Sequence, residues 1–221
     1  MASYLILGAG KFGRLAVQRL AARDPAARFV VVDRSREALA RVPGNEARVI
    51  KIQAEVSAFL REEMPCYASF DWVIPAVPVH VALLSLLGNP KAGGWECLKV
   101  PEELEKLAPV AIRGSQGELY LSRARHLCPD DCPEPEDVCP ISGESLSPAL
   151  YEVLAALSLP GYKVWVVISR PLAPGVGGYP PEELLKLPDV LQETPCHLLI
   201  ATACRCHGVV HALGRREGGL K

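Results

Sequence analysis

The hydrophobic positions near the start of the chain fall into short continuous runs rather than one long stripe. Residues 4–7, Tyr-Leu-Ile-Leu, form a four-residue apolar run of the kind needed by a strand buried on both faces of a parallel sheet. Residues 8–13, Gly-Ala-Gly-Lys-Phe-Gly, follow at once. Beyond them Leu15, Ala16, Leu20 and Ala21 recur at helical spacing until Pro25 stops the pattern. Residues 29–32 read as a second strand closing at Asp33, and the alternation continues with strands over 47–52 and 72–77 and helices over 55–63 and 79–87. Strands alternating with helices predict a parallel sheet with right-handed crossovers, a Rossmann-type α/β unit over residues 1–92.

The three glycines between the first strand and its helix suit a dinucleotide pyrophosphate. One makes the tight turn, one lets backbone N–H groups approach the phosphates, and one allows helix and strand to pack closely, so Gly8, Gly10 and Gly13 are cofactor-binding candidates. Lys11 and Phe12 occupy the first turn of the helix, whose unsatisfied N–H groups and positive dipole end face the same ligand. Asp33 stands twenty residues after Gly13, where a carboxylate accepts both ribose hydroxyls and repels a 2′-phosphate; NAD(H) is therefore expected. Arg34, beside it, is the residue that would accommodate NADP(H) instead, or it is simply a solvated surface arginine.

After Gly93-Gly94 the character changes, and residues 93–221 are expected to form a cysteine-bearing α+β portion. Residues 110–112 and 118–122 read as strands of a hairpin, and 162–169 and 197–203 as further strands. Residues 170–181 form a proline- and glycine-rich stretch leading into a helix. It is either an ordinary connection or a loop that approaches a ligand, with Arg170 as an anion partner and Tyr179 as a ring cover.

Cys128, Cys132 and Cys139 fall within twelve residues, each followed by proline, in a segment too rich in proline and aspartate for helix or strand. Thiolates converging on a metal can replace the core such a loop lacks. The C-x3-C-x6-C spacing fits no standard zinc finger, while proline after a ligand cysteine also occurs around iron–sulfur clusters, so both zinc and an iron–sulfur cluster stay open. The acidic residues Asp130, Asp131, Glu134, Glu136 and Asp137 argue against further negative charge there. Cys204 and Cys206, past the last predicted strand, would lie on one face of an extended chain, with His207 pointing away; either thiol could supply the fourth ligand. Cys66, Cys97 and Cys196 lack partners at ligand spacing and are expected in the core.

Composition narrows the field. With 221 residues, 49% apolar content and a formal net charge of -1, there is no basic field to attract nucleic acid or an anionic membrane. The start of the chain has no basic n-region, and the apolar stretch over 73–87 is broken by Pro75, Pro78 and His80. A cytoplasmic protein without a membrane span is expected, and its eight cysteines are metal ligands or buried thiols rather than disulfides.

The segments YLILGAGKFG, VVVDRS and DWVIPAVPVH make residues 3–87 similar to the NAD-binding domain of the TrkA/RCK potassium-uptake regulators and to the N-terminal domain of saccharopine-dehydrogenase-like enzymes. The resemblance implies that the loop after the fourth strand runs beside the cofactor, with Ala76, Val77 and Pro78 lining its ribose and nicotinamide side. His80 is either an acid/base there or a capping or core histidine at the start of a helix. Together these readings predict an NAD(H)-binding protein with a cysteine-ligated metal centre, acting as a redox enzyme or redox sensor. A redox partner protein and a homo-oligomer are compatible with it, and no catalytic residues are legible. The alternatives are a TrkA-like regulatory subunit that uses dinucleotide as an effector, and a small-substrate dehydrogenase with structural zinc.

Overall fold

The computed structural model describes residues 1–45, 47–62 and 68–216. In chain order the elements are β1 (Ser3–Leu7), α1 (Lys11–Arg23), β2 (Arg28–Asp33), α2 (Arg36–Ala40), β3 (Val49–Gln53), α3 (Val56–Glu62), β4 (Trp72–Pro75) and α4 (Val81–Leu87). They continue with β5 (Trp95–Leu98), β6 (Val110–Arg113), β7 (Leu119–Ser122), α5 (Leu150–Ala155), β8 (Tyr162–Ile168), β9 (Arg170–Ala173) and β10 (Val176–Gly178). The last are α6 (Glu182–Leu185), α7 (Leu187–Gln192), β11 (His197–Ala203) and β12 (His207–Arg215). Two compact units result: Met1–Gly88 with Arg170–Leu185, and Asn89–Ser169 with Lys186–Lys221. Where the sequence pattern puts one continuous boundary after residue 92, the stretch 170–185 thus belongs with the first unit.

The first unit is built on a parallel four-stranded sheet ordered β3-β2-β1-β4. Leu5, Ile6 and Leu7 of β1 are fully buried, as an apolar run flanked by a strand on either side demands. Helix α1 buries Gly13, Ala16, Val17 and Leu20, at i, i+3, i+4 and i+7, so one stripe faces the sheet. It ends at Asp24, ahead of Pro25, as the pattern requires. The short helix α2 is absent from the hydrophobic pattern. Its signal is Ser35, whose side chain accepts the Ala38 N–H at 3.1 Å as an N-cap.

The glycine-rich stretch after β8 is a β-hairpin, β9–β10, turning at Pro174-Gly175, where Gly175 has φ 64°. It packs with the first sheet: Ala173 and Val176 join the core formed by Ile6, Ala16 and Phe29. Its exit is fastened to β4 by a reciprocal pair of bonds, Val73 N–H to the Tyr179 carbonyl at 2.8 Å and Tyr179 N–H to the Val73 carbonyl at 3.0 Å. Tyr179 is therefore no ring cover over a ligand. It is fully buried, because this antiparallel bridge along β4 carries it into the core.

The second unit centres on β12. One of its edges pairs with β11 along seven residues, and the other is shared, by β7 opposite His207 to Val210 and by β5 opposite Ala212 to Arg215. β8 adds parallel to β11, and β6 adds to β7 as the expected hairpin. The core lies between this sheet and α5, with Leu119, Leu121, Leu150, Leu154, Leu199 and Val210 buried. Among the described residues no helix is long and apolar enough to cross a membrane.

Among the described residues the buried Tyr179 hydroxyl has no hydrogen-bond partner, and burial drives its pKa far above the ordinary phenol value. A buried donor left unsatisfied costs free energy that phenylalanine of the same shape does not incur. Tyr179→Phe is expected to stabilise the protein by about 1 kcal/mol in urea unfolding. A loss of stability of that size would show that the hydroxyl is satisfied in solution.

Candidate functional site

Two groups of residues carry recognisable chemistry, one in each unit. In the first, the turn from β1 into α1 is as crowded as a polypeptide allows. A Cβ on Gly13 would lie 1.9 Å from the Gly8 carbonyl oxygen, and one on Gly8, which has φ 110°, would lie 2.5 Å from the Ala76 carbonyl oxygen. Gly10 is the opposite case: a Cβ there meets nothing within 4 Å. Gly10 is also the N-cap of α1 and makes no side-chain cap bond, and Lys11 and Phe12 begin the helix beside it, exposed. The turn is closed against the protein at two glycines and open to a ligand at the third.

Asp33 sits at the end of β2, facing this turn. One carboxylate oxygen accepts the Ala9 N–H at 2.7 Å and the other accepts the Ser35 N–H at 2.7 Å, which ties the turn to both ends of the β2–α2 connection. A carboxylate has about four lone-pair sites, so each oxygen keeps capacity for a hydroxyl. Arg34 is exposed and lies 3.4 Å from Glu55, in a surface ion pair.

On the β4 side of the turn lies a cleft of about 400 Å³. It is lined by Phe12 and Ala16 of α1, by residues 74–78 including Ala76, Val77 and Pro78, and by Gly175, Val176 and Gly177 of the hairpin. The size suits a small ligand or one end of a larger one, and the side chains that line it are apolar. Phe12, half exposed at 53%, offers the one aromatic face among them. His80 is buried at 6% and occupies the N-cap position of α4, so it starts that helix rather than lining the cleft.

In the second unit, the loop carrying Cys128, Cys132 and Cys139 is strapped to the tight turn between β11 and β12. The Arg123 N–H donates to the Cys206 carbonyl at 2.9 Å, the Leu150 N–H to the Arg205 carbonyl at 2.9 Å, and the Arg205 N–H to the Glu134 carboxylate at 2.8 Å. Glu134 reaches that position with φ 52°, in the left-handed region. It is an acceptor for the turn, not only a repelling charge. The chain at 204–207 is a turn, and Cys204 N–H donates to the His207 carbonyl at 2.8 Å. Strand alternation therefore does not apply there: Cys204 and His207 flank the turn side by side, and His207 does not point away.

The imidazole of His207 lies between two sulfurs, Nε2 being 3.7 Å from Cys128 Sγ and Nδ1 3.9 Å from Cys204 Sγ. His126 Nε2 stands 3.9 Å from Cys139 Sγ. Burial first, then the Glu134 charge, then those of Cys132, Cys128 and Cys139 push the Cys206 thiol up to about 11. Burial first, then Glu134, pushes the Cys204 thiol up to about 12. The Cys139 thiol moves the other way, because backbone N–H groups of Ser142 and Ile141 converge on its sulfur. Burial holds His207 below the ordinary histidine value. Among the described residues no group of three or more His, Cys, Asp or Glu side chains has a geometry that holds a metal ion. Cys97 and Cys196 are exposed, not core residues: β5 is bonded along one edge only, and Cys196 precedes β11 outside the sheet. Cys66 lies outside the described residues.

Sequence reasoning assigned no role to His126 and set His207 aside as pointing away; the signal for both was their proximity in sequence to Cys128 and Cys206.

Residues 69–216 match the family AF_1314_C, described as "Uncharacterized protein, C-terminal domain". An "Uncharacterized protein" of Archaeoglobus fulgidus is 32% identical over 225 residues, covering 96% of this chain and 99% of that protein. The chain belongs to the AF_1314_C family. Residues 4–84 match the TrkA-N domain, so this AF_1314_C member carries the N-terminal Rossmann-type domain that its motifs led one to expect, and a dinucleotide is the supported ligand class. Its family match begins just before β4 and runs through the hairpin to the end of β12. Among solved structures, a Rossmann-fold NAD(P)-binding family protein from Shigella flexneri is similar at TM-score 0.31 and 19% identity, over 40% of this chain and 45% of that one. A putative methyltransferase from Thermoplasma acidophilum is similar at TM-score 0.30 and 10% identity, over 98% of this chain and 69% of that one. At those scores neither likeness bears on function.

The crowding at Gly13 has a measurable consequence. Gly13→Ala forces the turn apart and is expected to cost about 3 kcal/mol of stability, lowering Tm by several degrees. Gly10→Ala should leave Tm within a degree of the parent protein. Equal tolerance of both would show that the turn relaxes freely.

Proposed function

We propose that the first unit binds NAD(H) and that the protein is a redox sensor, with a thiolate-ligated metal centre in the second unit. The observation that carries the first part is the open space at Gly10 beneath an uncapped helix start. A pyrophosphate needs that room and those N–H donors. Asp33, with spare acceptor capacity on both oxygens, supports ribose hydroxyls over a 2′-phosphate. The apolar cleft supports holding the ligand as an effector, since its walls present no proton donor or acceptor side chain to a reacting group.

The donor set supports the second part: Cys128, Cys132 and Cys139 come from one loop, and the β11–β12 turn bonded to that loop carries Cys204 and Cys206, one of which would complete a four-thiolate set. The centre would hold the loop together, as zinc or as an iron–sulfur cluster. His207 and His126 would stand beside the sulfurs.

NADH should bind in calorimetry, with NADPH at least about tenfold weaker. Gly10→Val should abolish binding with Tm unchanged, because its side chain enters space that only the ligand occupies. NADH binding by folded Gly10→Val protein would remove the reading. For the second unit, Cys132→Ser should lose the metal found by elemental analysis, as should one of Cys204→Ser and Cys206→Ser, and NADH should bind all three variants. Iron with sulfide and broad absorbance near ~400 nm would identify a cluster, and one colourless zinc per chain a single ion.

A further inference from the structure

Within the first unit, the hairpin β9–β10 is joined to α1 by two arginines. Arg19 Nη1 donates to the Pro174 carbonyl at 2.6 Å, and Arg23 Nη1 donates to the Leu172 carbonyl at 2.6 Å. Both carbonyls belong to the hairpin's first strand and its turn, 155 and 149 residues further along the chain. The hairpin's second strand forms one wall of the cleft with Gly175, Val176 and Gly177, opposite residues 74–78. It runs antiparallel to β4 from the reciprocal bonds at Val73, which brings its turn towards the carboxyl end of that strand. In open α/β sheets that end, at the switch between β1 and β4, is where the ligand lies.

The two sides of the glycine turn are chemically different. Asp33, which can accept ribose hydroxyls, stands at the end of β2, and the apolar cleft with the Phe12 ring stands at the end of β4. β1 and its turn lie between them. A dinucleotide whose pyrophosphate rests on Gly10 would therefore place its adenosine ribose on the β2 side and its second base in the cleft. We propose that the β9–β10 hairpin is the device that recognises the nicotinamide end of the dinucleotide, and that Arg19 and Arg23 are positioning residues that hold it at the cleft. The inference rests on the NAD(H) reading above and adds which end of the ligand this segment selects. The planar ring would lie between the hairpin backbone and the residue 76–78 loop, with Phe12 at the mouth. Recognition by backbone and apolar surface suits a ring whose redox state changes its charge and shape.

The test compares NADH with ADP-ribose, which has the adenosine, pyrophosphate and second ribose but no nicotinamide. Both are titrated calorimetrically into the parent protein and into Arg19→Ala/Arg23→Ala. The double variant is expected to bind NADH about tenfold more weakly, because a loosened hairpin must be ordered on binding. ADP-ribose should bind it as it binds the parent, and that retained binding also shows that the glycine turn is folded. Arg19→Lys/Arg23→Lys keeps donors at both positions and should recover most of the NADH affinity. Unchanged NADH binding by the alanine variant, or equal loss of both ligands in a protein of parental Tm, overturns the role of the hairpin while leaving NAD(H) binding intact. Failure of the parent protein to bind either ligand instead overturns the NAD(H) reading itself.

Discussion

The contact on which the first unit depends is the approach of Gly13 to the carbonyl oxygen of Gly8. With a hypothetical Cβ only 1.9 Å from that oxygen, the helix can start where it does only if position 13 has no side chain. The geometry then propagates in both directions. Gly8 N–H reaches the Val32 carbonyl and Ala76 N–H the Leu7 carbonyl, so the glycine turn and the loop after β4 both continue the parallel ladder outward from β1. The Asp33 carboxylate ties Ala9 and Ser35 to the same point. A helix start, two loop ends and a carboxylate are thereby set around the open space at Gly10.

The hairpin extends this arrangement from far along the chain. By joining its exit to β4 and its turn to α1, it gives the cleft a third wall that the βα units cannot provide. It also puts the buried Tyr179 phenol against β4, bridged to Val73.

In the second unit the organising element is the β11–β12 turn. The cysteine loop has few apolar residues of its own, and Leu127 and Ile141 within it are exposed. It is held by polar bonds to the turn, through Arg123, Glu134 and the backbone of Arg205 and Cys206, and Arg123 also donates to the Leu146 carbonyl at 2.7 Å. His207 stands 3.7 Å from Cys128 and 3.9 Å from Cys204, His126 stands 3.9 Å from Cys139, and burial holds His207 below the ordinary histidine value.

The sequence by itself determined whatever is local and periodic. Residues 4–7, the glycine spacing and the run ending at Asp33 are adjacent in the chain, so strand, turn, helix and strand could be read in order, as could β8, β11 and the β6–β7 hairpin. Tertiary structure decided what depends on partners far away. β12 was illegible because His207, Gly208, His211 and Gly214 interrupt its apolar residues, and it becomes a strand through having neighbours on both edges. The hairpin was read as a glycine-rich connection because two short strands with a Pro-Gly turn have no stable form until β4 and α1 receive them. That Cys204 and His207 stand together, 3.9 Å apart, was illegible for the same kind of reason. Periodicity assumes an extended chain, and the bond from Cys204 N–H to the His207 carbonyl makes it turn.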